Sequence, residues 1–156
     1  MDVIGRGLVS ASAVDEEVQA ELAQIPAGFS IQMTVLPAGP SFAIEVQADH
    51  TLKLLKDFSG TASLSIKFKH IAHAFLVFSF QEGTARAFAN DRMVVDGDVS
   101  QAIRVVRCLN KMEALILPKA VAKLALKRYP DLGLAEKATK AARIYGLVAK
   151  NFVLGN

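Results

Sequence analysis

The sequence predicts an α+β fold, with about five strands in a mainly antiparallel sheet and helices packed on one face. Three observations carry this. Phe29, Ile31, Met33 and Val35 alternate with Ser30, Gln32 and Thr34, and Phe42, Ile44, Val46 and Ala48 alternate with Ala43, Glu45 and Gln47, the period of a strand with one buried side. The intervening LPAGPS is rich in turn formers, so the two runs read as a hairpin. The chain then runs as further strand, apolar helices, one more strand and finally helices, an order in which the strands do not alternate regularly with helices.

Taken in order, residues 1–13 are small and irregular and read as a flexible N-terminal arm. Residues 14–25 read as a short acidic helix, with Asp15, Glu16 and Glu17 near its N-terminus, where the helix dipole favours them, and Pro26 and Gly28 ending it. After the hairpin, TLKLLKD fits either a short third strand or a turn of helix. Leu64, Ile66 and Phe68 alternate with Ser65, Lys67 and Lys69 in a clearer strand. HIAHAFLVFSFQ at 70–81 is apolar almost all round, which predicts a helix buried on most sides, and 84–89 reads as a further helical turn carrying Phe88.

Residues 92–96 read as a strand that Gly97 allows the chain to leave sharply. Asp98 is placed to cap the next helix, with Gln101 at the capping-box position. On that helix Val99, Ala102, Ile103, Val106 and Leu109 form an apolar side, and Arg104, Arg107 and Lys111 line a different face. The nearly uncharged run from Met112 to Leu117 must lie against the core or around a cavity. Pro118 suits a first helical position, with Val121, Leu124, Ala125 and Tyr129 inward and Lys119, Lys123 and Lys127 outward at spacing four. After a break at 130–133, residues 134–152 form an alanine-rich amphipathic segment. The division expected is an arm at 1–13, a main domain at 14–130, and a C-terminal amphipathic helix at 131–156 that is a candidate lid.

Composition narrows the function. The 156 residues are 52% hydrophobic, with no apolar run long enough for a membrane helix and no basic segment followed by an apolar core at the N-terminus. Cys108 is the single cysteine, so the expected compartment is reducing and cytoplasmic. Net charge is +3 but unevenly spread: residues 1–60 hold three Lys or Arg against eight Asp or Glu, and 111–156 hold nine against three. Such a basic end suits anionic lipid headgroups, nucleic acid or an acidic protein. The lysine stripe of 119, 123 and 127 lacks interleaved aromatics and no nucleic-acid module is recognisable, so no nucleic-acid partner is expected; transient contact of these lysines with an anionic membrane or a lipid headgroup is.

Catalytic constellations are missing from the sequence. His70 and His73 stand three apart with no third ligand in a spaced motif, and Cys108 has arginine neighbours but no general base nearby. The Asp96, Gly97, Asp98 triplet lacks the remaining oxygen ligands of a calcium loop and is explained by turn and cap. We therefore expect no enzyme activity, no metal and no cofactor. The apolar excess remains, with nine Phe and four Met and no Trp, and by composition alone a plain core and a ligand cavity account for it equally.

The segment RMVVDGDVSQAIRVVRCLN resembles the signature of the sterol carrier protein type two domain family, in which a strand ending in Gly-Asp passes into a helix beneath a lipid tunnel. The likeness extends more loosely over residues 25–129. It implies an elongated apolar tunnel between sheet and helices, for which Phe75, Phe78, Phe88, Met93, Met112, Leu115 and Ile116 are the candidate lining residues. It also implies a function: binding and transfer of a fatty acyl chain, sterol-like lipid, phospholipid or isoprenoid quinone. The alternative is a protein-interaction or accessory subunit, for example in quinone biosynthesis, whose groove holds a partner helix. Neither ligand identity nor oligomeric state follows from these residues.

Overall fold

The alternating runs form the predicted hairpin in the computed structural model, which describes residues 1–79, 81–116 and 134–154. Strand β1 (Ser30–Val35) pairs antiparallel with β2 (Ser41–Val46), Ile31 opposite Ile44 and Met33 opposite Phe42. TLKLLKD resolves as strand β3 (Leu52–Leu55), antiparallel to β2. Strand β4 (Leu64–Phe68) lies parallel to β1, and β5 (Met93–Gly97) closes the sheet antiparallel to β4, giving the order β3-β2-β1-β4-β5. The sheet is thus mixed, with a parallel seam between β1 and β4. No local turn joins those two strands, so nothing in the sequence between them dictates their relative direction.

Register puts Ile31, Met33, Val35, Ile44, Val46, Leu64, Ile66 and Phe68 on one face, all buried, while Gln32, Thr34, Glu45 and Lys67 stand on the other. All the large apolar residues of the three central strands are therefore on the face the helices cover. Gly97 makes the exit from β5 with φ +128°, and a Cβ there would lie 2.6 Å from the Ser63 carbonyl oxygen, so the position needs glycine for both reasons.

Residues expected to form a flexible arm are instead helix α1 (Asp2–Val14), packed on β2 and β3, with Leu8 and Ala11 buried. The small residues that look irregular in sequence permit close approach: a Cβ on Gly5 would stand 2.9 Å from Phe42 Cδ2, and one on Gly7 2.7 Å from Met112 Sδ. Ser12 Oγ also accepts a 2.9 Å hydrogen bond from the Leu52 amide, tying α1 to β3. Helix α2 (Glu16–Leu22) follows at once, capped by the fully buried Asp15, whose Oδ1 accepts from the amides of Glu17 and Val18 at 3.0 and 3.1 Å.

Helix α3 (Ile71–Phe78) departs from the expected burial. Ala74 and Val77 face inward, but Ile71 and Phe75 are more than half exposed. The helix is short, sits beyond the end of β4 and touches β4 and α4 (Thr84–Ala89) on one side only. An apolar circumference does not create a covering layer where no neighbouring element is placed. Helix α5 (Val99–Ile116) carries the 112–116 run straight on, with Met112, Ala114 and Leu115 buried. Helix α6 (Leu134–Leu154) packs on α1 and α5, burying Ile144. None of the described helices is long and apolar enough to cross a membrane.

Candidate functional site: an apolar cleft at the β5 edge

Where α4 and the first turns of α5 cross β4 and β5, the helices leave a cleft of about 290 Å3. Its floor is Ile66 of β4 with Met93 and Val95 of β5. One wall is Thr84, Ala85 and Phe88 of α4; the other is Val99, Ala102, Ile103, Val106 and Arg107 of α5. Thr84 and Arg107 are the polar residues of the lining, and nearly all the surface that faces the hollow is apolar. Phe88, Val99 and Ile103 are each at least half exposed, so the cleft opens to solvent through an apolar rim. Single exposed apolar side chains are ordinary, whereas three around one apolar hollow mark a surface made for contact.

The elements around the cleft are held by charge. The buried Glu82 carboxylate before α4 accepts from Asn90 Nδ2 at 2.8 Å and pairs with Arg92 Nε at 2.8 Å after it, so both ends of the six-residue α4 are tied together. On α5, the basic face looks toward α2: Arg104 and Arg107 reach the two oxygens of Glu21 at 3.1 and 3.0 Å, and Lys111 reaches Glu17 at 2.7 Å. Asp98 caps α5 by accepting from the Ser100 amide at 2.7 Å, and hydrogen bonding from the Ser100 side chain first, and from this amide second, holds its carboxyl below the usual range. Across the molecule, Lys140 of α6 donates to the buried Asp15 at 2.8 Å, which raises the lysine's pKa.

A larger hollow of about 740 Å3 lies along β3, but Arg6, Gln47, Thr51, Lys53 and Lys56 share its walls with Val9 and the β3 leucines. Its mixed lining suits water better than hydrocarbon.

The sequence-predicted lining residues are not brought together. Phe88 and Met93 line the cleft. Phe75 is 62% exposed on the outer side of α3, and Phe78 packs edge-on against Phe68, ring centroids 5.1 Å apart. Met112 and Leu115 are buried in the solid core beneath α5, and Ile116 lies partly buried at its margin, its carbonyl accepting from the Tyr145 hydroxyl at 2.8 Å. Among the described residues the hollow is therefore a half-open cleft and not the enclosed tunnel expected. Lys119, Lys123 and Lys127 lie outside the described residues. Sequence reasoning missed Ile66, Val95, Val99, Ile103, Val106 and Arg107 as lining residues. The signal was on view in α5, whose apolar side is wider than one core contact needs: Ala102, Val105, Leu109 and Met112 fill the core, and Val99, Ile103 and Val106 are left for the cleft.

Reactive groups are sparse. Cys108 is buried against α2, and burial, with the Glu21 carboxylate adding, pushes its thiol up to about 12, so it remains a neutral thiol. His70 Nδ1 accepts from the Ala72 amide at 3.1 Å as the N-cap of α3. No group of three or more His, Cys, Asp or Glu placed to hold a metal occurs among the described residues.

No family model matches the sequence, and no curated protein matches it. Solved structures do. A conserved hypothetical protein of Thermus thermophilus, described as a candidate sterol carrier protein, superposes with a TM-score of 0.53 at 10% identity over 83% of this chain and 92% of its own. A ubiquinone synthesis protein, UbiJ-SCP2, gives 0.48 at 12% identity over 68% and 90%. Sterol carrier protein 2 of Yarrowia lipolytica, in its apo form, gives 0.45 at 19% over 71% and 87%. At such identities the likeness is one of backbone, and the chain has a sterol carrier protein 2-type fold.

Proposed function

We propose that this protein binds the hydrocarbon part of a lipid in the cleft between α4, α5 and the β5 edge, and carries it without chemical change. The apolar lining with its exposed apolar rim carries this reading. At roughly 30 Å3 per water-sized group, 290 Å3 has room for about ten methylenes. At about 0.8 kcal/mol each, full burial is worth about 8 kcal/mol before ordering costs, which sets a ceiling near micromolar affinity for the cleft as it stands. A longer acyl, sterol-like or isoprenoid chain would bury only part of its length here.

Native mass spectrometry after gentle purification, with displacement of a fluorescent fatty acid, tests the reading. Bound lipid, or saturable displacement that Val106→Trp abolishes without unfolding the protein, supports it. No lipid and no displacement, or displacement unaltered in Val106→Trp, overturns it. A second reading, a docking surface for an apolar helix of a partner, is favoured by one observation: Ile71 and Phe75 stand exposed on α3, outside the cleft. Substituting those two would then abolish partner binding while leaving lipid binding intact.

A further inference from the structure

We propose that the open edge of β3 takes an extended, acidic peptide segment of a partner protein as a further strand of the sheet. The hollow of about 740 Å3 runs along this edge, between β3 and the flank of α1 that carries Arg6 and Val9. It lies at the opposite end of the sheet from the apolar cleft, and polar as well as apolar surface faces it.

The backbone supplies the pairing. Where β2 passes into β3, the Gln47 amide donates to the Thr51 carbonyl at 2.8 Å, and Glu45 stands opposite Lys53. Alternate residues of an antiparallel ladder turn their amide and carbonyl to the neighbour, so Thr51, Lys53 and Leu55 bond toward β2, and Leu52 and Leu54 point away from it. The Leu52 amide follows that direction, since it reaches Ser12 Oγ of α1 at 2.9 Å. One hydroxyl of α1 thus takes the first edge position. The Leu54 amide and carbonyl face the groove, where an added strand would meet them.

Side chains decide which strand fits. Lys53 and Lys56 line the hollow, and among the described residues no carboxylate does. The nearest acids are already engaged: Asp2 accepts from Arg6 Nε at 2.8 Å, and Glu45 accepts from Gln47 Nε2 at 2.9 Å. Leu52 and Leu54 stand on the helix-covered face of β3 and Lys53 on the other, so a partner that alternates apolar and acidic residues matches both sides at once. A second copy of this chain does not, because two β3 edges would set lysine against lysine. The same charge that bars self-pairing favours an acidic strand.

Titration of acetyl-Glu-Val-Glu-Val-Glu-Val-amide into the isotope-labelled full-length protein, followed by amide NMR spectra and hydrogen exchange, tests this. The expected result is saturable binding that slows exchange of the Leu54 amide and weakens as salt is added. The Lys-Val counterpart should not bind. Nor should the Glu-Val peptide N-methylated at every residue, which keeps the charge and cannot donate to an edge. Lys53→Glu should weaken the acidic peptide about fivefold and admit the Lys-Val peptide, and Lys53→Gln should weaken the first without admitting the second. Absence of binding, or equal binding of the two peptides by the wild type, overturns the proposal. So does an N-methylated peptide that binds as tightly, which would mark a site for anions alone. A dimer in sedimentation that Lys53→Glu disrupts would make a second copy the occupant and overturn it as well.

Discussion

The two ends of the sheet are covered differently. Over β2 and β3, α1 lies close, because Gly5 lets its backbone rest directly on Phe42 of β2, while Gly7 admits Met112 of α5 against its other side. Over β5, a six-residue helix and the first turns of α5 leave Met93 and Val95 facing a hollow rimmed by Phe88, Val99 and Ile103. Both ends have the same alternating strand pattern, so the strands do not decide which becomes solid. The covering helix does, through the size of its side chains and the length it can lay down. The cleft thus comes from a missing cover, and not from more apolar residues than an interior of this size can hold.

The largest effect that bears on this contrast is expected in the solid core. Leu115 is fully buried beneath α5, and Leu115→Ala should cost about 2–5 kcal/mol in urea unfolding. If it cost as little as a surface substitution, the core under α5 would not be close-packed.

Next in size is the polar group enclosed on α5. Burial pushes the Glu113 carboxyl up to about 7 from an ordinary 4.5. The folded state then holds its proton to higher pH than the unfolded chain does, so stability is full below about pH 4.5 and falls as pH rises through about 7, by on the order of 3 kcal/mol. Glu113→Gln should flatten that slope in unfolding measured across the same range; an unchanged slope would assign it to other groups.

The glycine contacts come third. Gly7→Val forces Met112 aside and should cost about 1–3 kcal/mol, measured by the same unfolding method. A neutral result would mean that α1 and α5 can part at this point without loss and that the packing around α1 is looser than described. The smallest effect belongs to the cleft rim: Ile103, half exposed, should tolerate alanine within about 0.5 kcal/mol while lipid displacement weakens. A large stability loss there would show the rim to be core.

Much of the fold was legible, and for local reasons. The hairpin, the strand at 64–68, the Gly97 exit and the Asp98 cap each depend on neighbours a few residues apart, where period and turn chemistry act. The first helix was not legible. Its GRGLVSASA stretch holds few large apolar residues, and its glycines act through contacts with Phe42 and Met112, far along the chain. The site was half legible. Phe88 and Met93 were named, but Phe75 and Leu115 went opposite ways, one to the surface and one to the interior, although both lie in equally apolar runs.

By itself the sequence determined the alternation of the strands, the ends of the helices and the apolar breadth of α5, because each is written in spacings of two to four residues. Only the tertiary structure decided that β1 and β4 run parallel, that Arg104 and Arg107 share Glu21, and that the hollow opens beside β5. These depend on residues more than thirty positions apart meeting at a given distance, and burial is a property of that meeting, which no single stretch of chain carries.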